Sequence, residues 1–76
     1  MQKPLIKGIY RHYKGNLYQV IDVARHCDSE EVLVVYRALY SDYGLWLRPV
    51  ADFCAQVETA AGRQPRFVLE TALESY

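Results

Sequence analysis

Two histidines, two cysteines and nine acidic side chains are the groups in this 76-residue chain that could move protons or hold a metal ion. His12, His26, Cys27 and Cys54 carry the donor atoms of a zinc site. Structural zinc sites present paired ligands a few residues apart, as in C-x-x-C, and no such pair occurs here. Adjacent His26 and Cys27 at a strand end would point to opposite faces. The sequence therefore predicts no metal and no cofactor. Asp22, Asp42 and Asp52 could join the histidines in an acid–base set, yet each has a simpler reading. Asp42 caps a turn, Asp52 sits in a first helical turn, and Asp22 pairs with a neighbouring cation. No nucleophile elbow, glycine-rich phosphate loop or H-E-x-x-H signature is present, so no catalytic residue is expected and the chain does not read as an enzyme.

A second constellation is denser. Tyr36, Arg37, Tyr40, Tyr43, Trp46 and Arg48 crowd one stretch, with Tyr10, His12 and Tyr18 upstream. A face of rings and guanidinium groups can stack bases or other planar groups. It can equally hold a peptide edge or a cationic side chain. The same rings also fill a small core, because aromatic cross-strand pairs stabilise sheets and Arg laid on Trp or Tyr shields apolar surface. The structural role carries more weight for most of them, and Trp46 is itself a candidate core residue. As a ligand face the candidates are Tyr10, His12, Tyr36, Arg37, Tyr40, Tyr43, Trp46 and Arg48. The expected geometry turns Leu45 and Leu47 inward and Trp46 and Arg48 outward.

The elements that would carry these side chains follow a period of two. Ile6 to Tyr13 reads as a strand with Tyr10 and His12 on one face, and Lys14-Gly15-Asn16 supplies the positive-φ residues of a tight hairpin. Leu17 to about His26 is a second strand whose alternation slips at Val20-Ile21, where a β-bulge would bend it. Glu31 to Tyr40 is the strongest strand, apolar on both faces and so expected to be central and covered on both sides. Leu45 to Arg48 is a short fourth strand. Val50, Phe53, Cys54 and Val57 then mark one face of a helix of about two turns. Ala60 to Pro65 reads as a loop and Arg66 to Glu70 as a fifth strand. The last six residues could extend that strand, form a helical turn or fray.

Seventy-six residues make one domain with a small core, and seven tyrosines mean that many rings are half exposed. The chain is expected to be mainly β: a small, strongly bent antiparallel sheet or an SH3-like five-stranded barrel, with one short helix before the last strand. An open sheet with the helix on one face is the second arrangement. Net charge is zero, which argues against indiscriminate nucleic-acid binding. Cations lead and acids close the chain: Lys3, Lys7, Arg11 and Lys14 precede Asp22, while Glu70 and Glu74 come last. Ends that lie side by side would compensate. Without a signal-like or membrane-spanning stretch, and with two cysteines read as reduced thiols, the expected location is cytoplasmic.

Tyr10-Arg11-His12-Tyr13-Lys14-Gly15, Ala24-Arg25-His26, Val35-Tyr36-Arg37-Ala38-Leu39-Tyr40 and Gly44-Leu45-Trp46-Leu47-Arg48-Pro49 together carry a likeness. From about Gly8 to Phe67 the chain resembles a family of small bacterial proteins, the domain of unknown function numbered sixteen fifty-three. Cys27 stands where such proteins often have a small or polar residue, so a thiol is not required there. The resemblance implies a compact bacterial cytoplasmic domain and carries over no catalytic residue. The expected function is a binding or adaptor module using the aromatic–Arg face, with RNA or single-stranded DNA as the leading ligand. The alternative is a structural or protein-docking domain, including a homodimer, with no small-ligand site.

Overall fold

The computed structural model describes residues 5–73. Strands β1 (Gly8–His12), β2 (Leu17–Arg25), β3 (Val32–Ala38) and β4 (Leu45–Pro49) follow one another as antiparallel neighbours. A single helical turn, α1 (Val50–Phe53), leads to a small hairpin of β5 (Gln56–Thr59) and β6 (Gly62–Pro65). The last strand, β7 (Phe67–Ala72), returns to pair antiparallel with β1. The main sheet has the order β4-β3-β2-β1-β7, and the β5–β6 hairpin stands apart from it.

Local chemistry explains most of these boundaries. Gly15, at φ 108°, makes the β1–β2 turn, where the Asn16 carbonyl accepts from the His12 amide at 2.8 Å. The slip at Val20-Ile21 is a register shift between Val20 and Asp22, leaving Ile21 without a pairing partner on β3. Asp42 caps its turn by accepting from the Gly44 amide at 3.2 Å, and Asp22 meets Lys7 at 3.7 Å. The chain's basic start and acidic end do meet, as the Arg11–Glu70 pair at 3.0 Å across β1 and β7.

Four expectations need correction. The sheet does not close into an SH3-like barrel: β4 and β7 are its two edges and do not pair with each other, leaving a small bent antiparallel sheet with a short helix. The two-turn helix is one turn, because the chain leaves it at Cys54 and Val57 belongs to β5. Ala60 to Pro65 is not simply a loop but the turn and second strand of the β5–β6 hairpin. Finally, β3 is covered on one face only. Its buried residues are Val34, Tyr36 and Ala38, whereas Leu33, Val35 and Arg37 on the opposite face are only half-buried.

The core lies on one face of the sheet, here the inner face. Tyr10, Val20, Val34, Tyr36 and Phe67 point to it from the strands, and Val50 and Phe53 close it from α1. Phe53 is 1% exposed and stacks on Phe67 with centroids 4.0 Å apart. The rings of Tyr10 and Tyr36 meet it edge-on at 5.3 and 5.6 Å. Gly8 allows β7 to lie close, since a Cβ there would collide with the Thr71 carbonyl oxygen. Phe53→Ala should therefore cost about 3–5 kcal/mol in urea unfolding, and Gly8→Ala should destabilise the domain by forcing β7 off β1.

Candidate functional site

Tyr18, near the start of β2, gathers the polar end of the inner face. Its ring meets Tyr36 at 5.5 Å, Tyr40 at 5.6 Å, Phe67 at 5.6 Å and His12 at 6.1 Å, all edge-on. Its hydroxyl shares a 2.7 Å hydrogen bond with that of Tyr40. Burial, this bond and the neighbouring Tyr40 and Tyr36 hydroxyls push the Tyr18 pKa up to about 12, against an opposing pull from Arg48. Tyr18 thus stays a neutral hydroxyl, able to donate or accept.

His12 stands beside this group, its ring on Phe67 at 4.9 Å and on Tyr13 at 4.5 Å. Its Nδ1 accepts from the Lys14 amide at 3.2 Å, which leaves the proton of the neutral ring on Nε2. Burial foremost, then the positive charges of Lys14, Arg48 and Arg66, hold its pKa below the ordinary 6.5. Two of these cations make hydrogen bonds to neutral groups. Arg48 Nε donates to the Tyr36 hydroxyl at 3.4 Å and Arg66 Nε to the Asp52 carbonyl at 3.1 Å. The ion pairs among the described residues join Lys7–Asp22, Arg11–Glu70, Arg25–Glu30 and Arg63–Glu58, none of which involves Lys14, Arg48 or Arg66.

The eight candidate residues divide by position. His12, Tyr36, Tyr40 and Arg48 come together around Tyr18 on the inner face. Tyr10 is buried beneath them, with its hydroxyl donating to the Ile6 carbonyl at 2.6 Å. Arg37 lies on the outer face, where its Nη1 donates to the Tyr43 carbonyl at 2.6 Å, and Tyr43 occupies the β3–β4 turn at φ 55°. Trp46 pairs with Tyr36 and Arg48 with Val34 across the ladder, so both share the inner face. This reverses the expected orientation of β4: Leu45 and Leu47 point outward. Trp46 is nevertheless 56% exposed, because it stands at the sheet edge. Arg66 was not among the candidates. Its signal in the sequence was adjacency to Phe67, at the point where the last strand joins the core.

Metal binding gains one feature and loses another. The chain leaves β2 at Arg25, so His26 and Cys27 lie in a turn and not at opposite faces of a strand. The donor atoms of His26, Cys27 and Asp28 all lie within 4.8 Å of one another, on exposed residues. His26 Nδ1, however, accepts from the Asp28 and Ser29 amides at 3.2 and 3.4 Å. A metal on Nε2 would require the ring proton to move to Nδ1, against those two donors. Cys27 and Cys54 are free, exposed thiols. A shallow concavity of about 390 Å³ lies elsewhere, lined by Val23, Ala24, Arg25 and Val32, and it gathers no polar groups comparable to those around Tyr18. No helix among the described residues is long and apolar enough to cross a membrane.

Comparison with known proteins gives the chain its relatives. A crystal structure of a protein of the DUF1653 family from Bordetella bronchiseptica is similar, with 36% sequence identity and a TM-score of 0.83 over 95% of each chain. No curated protein matches. The family model for proteins of unknown function DUF1653 matches residues 8–69, which takes in every strand but the end of β7. The chain therefore belongs to the DUF1653 family.

Proposed function

We propose that this protein is a binding module that takes single-stranded nucleic acid on the inner face around Tyr18. The observation that carries the reading is the packing of His12 on the rings of Tyr13, Tyr18 and Phe67 within the field of Lys14, Arg48 and Arg66, with no carboxylate paired to those cations among the described residues. Beside the partly buried His12 these cations repel its charged form. An anion from outside relieves that repulsion. Exposed Trp46, beside Tyr36 on the same face, offers a flat surface for a base. The balanced total charge fits a short contact of a few phosphates better than a long electrostatic track.

An amide-shift titration with short single-stranded oligonucleotides tests the reading. The expected shifts cluster on His12, Trp46, Arg48 and Arg66, and log affinity falls with log salt at a slope of about −2, as three phosphate contacts on a single strand require. Arg66→Ala should weaken binding about tenfold with the fold intact, and Trp46→Ala by about five- to a hundredfold. No shift at low salt removes nucleic acid as the ligand.

His12 gives a second readout. In the free protein its lowered pKa means that the unfolded chain takes up a proton first, so folding stability should decline as pH falls below about 6.5. A phosphate bound beside it favours the charged ring, so affinity should rise as pH drops from about 7.5 to about 5.5. His12→Gln should flatten that rise, as followed by fluorescence anisotropy of a labelled oligonucleotide.

A further inference from the structure

The hydrogen-bond phase of the β3–β4 ladder leaves β4 with an open edge. The Ala38 amide donates to the Gly44 carbonyl at 3.0 Å, which makes Ala38 and Gly44 a hydrogen-bonded pair. Alternation then makes Tyr36/Trp46 and Val34/Arg48 bonded pairs, and turns the N–H and C=O of Leu45 and Leu47 away from β3. β4 is the last strand of its sheet, so these groups line its rim. Natural edges are usually blunted by a lysine, a mid-strand proline, a bulge or a covering segment. Between Leu45 and Leu47 β4 carries no charge, proline or bulge, and Leu45, Trp46 and Leu47 are 55%, 56% and 61% exposed.

We propose that β4 pairs antiparallel with β4 of a second copy of this chain, with Leu45 opposite Leu47 and Trp46 opposite Trp46. In this register the N–H and C=O of each Leu45 meet those of Leu47 of the partner subunit, and the open edge is fully paired. Centring the seam on Leu47 instead would set the Leu45 carbonyl against Pro49, which has no N–H to donate. Trp46 falls at the position where antiparallel strands approach most closely, the best place for a cross-strand ring pair.

Charge fits the same register. It places Gly44 opposite Arg48 of the partner subunit. Asp42 lies over Gly44 on the side of the Trp46 ring: a Cβ on Gly44 would be 3.3 Å from Asp42 Oδ1 and 3.6 Å from Trp46 Nε1. Each end of the seam thus sets the Asp42 carboxylate of one copy beside the strand position of Arg48 of the other, whose guanidinium turns from the Tyr36 hydroxyl to meet it. Arg48 has no carboxylate partner in its own chain among the described residues. On the outer face, Leu45 and Leu47 of both copies join Leu33 and Val35 in one apolar strip. This pairing is argued from the open edge and not from the ligand reading, although Trp46 and Arg48 take part in both.

Sedimentation equilibrium, with no oligonucleotide present, tests the proposal. Wild-type protein at about 100 μM should be dimeric, as a micromolar complex is almost fully formed there. Leu47→Lys should weaken association at least tenfold with an unchanged circular dichroism spectrum. In a Cys27→Ser/Cys54→Ser background, Trp46→Cys should cross-link on mild oxidation, since a Cα separation of about 4.5 Å suits a disulfide. Leu47→Cys should not. A wild-type protein that stays monomeric overturns the dimer, and a cross-link through Leu47→Cys in place of Trp46→Cys overturns the register.

Discussion

The stack of Phe53 on Phe67 is the contact on which the rest of the molecule depends. A sheet of five short strands has one face to bury and little chain left to bury it with. A single helical turn does the work, because the chain leaves β4 at Pro49 and immediately turns Val50 and Phe53 back over the strands. Phe53 then meets rings from β1, β3 and β7 at once. Strands distant in sequence are tied at one point, which is also why a helix too short to be stable alone persists here.

From this plug the inner face grades outward. Nearest Phe53 the rings are buried, as with Tyr10, whose hydroxyl turns back to the Ile6 carbonyl. Farther along, Tyr18, Tyr36 and Tyr40 keep their ring bodies in the cluster while their hydroxyls meet each other and Arg48. The opposition between rings as core and rings as binding surface therefore dissolves: one layer serves both, with the division running through individual tyrosine side chains.

Much of the sheet was legible in the sequence because period two, Gly15 and the paired apolar residues Val20-Ile21 are local signals. What failed depended on non-local facts. Val50, Phe53, Cys54 and Val57 have helical spacing, but over so short a window a helical turn followed by a strand produces the same pattern. Closure of a barrel depends on whether β4 and β7 approach each other, and no periodicity reports that. The inward face of β4 was unreadable because leucines occupy one side and tryptophan the other. Only the pairing with β3 decides between them. The candidate site was half legible: residue types pointed to the tyrosines, His12 and Arg48, but Arg37 faced away and Arg66 arrived from a strand remote in sequence.

The pairing of Gly8 with Ala72 has a consequence for how this domain can be built into longer chains. The chain's way in and its way out are adjacent, about 5 Å apart as in any antiparallel ladder. A host protein could accept the unit within one of its surface loops without prising its own fold apart, since the strands that open and close the sheet lie side by side. The architecture is therefore portable: it can be carried as a side attachment as readily as it can stand in a row.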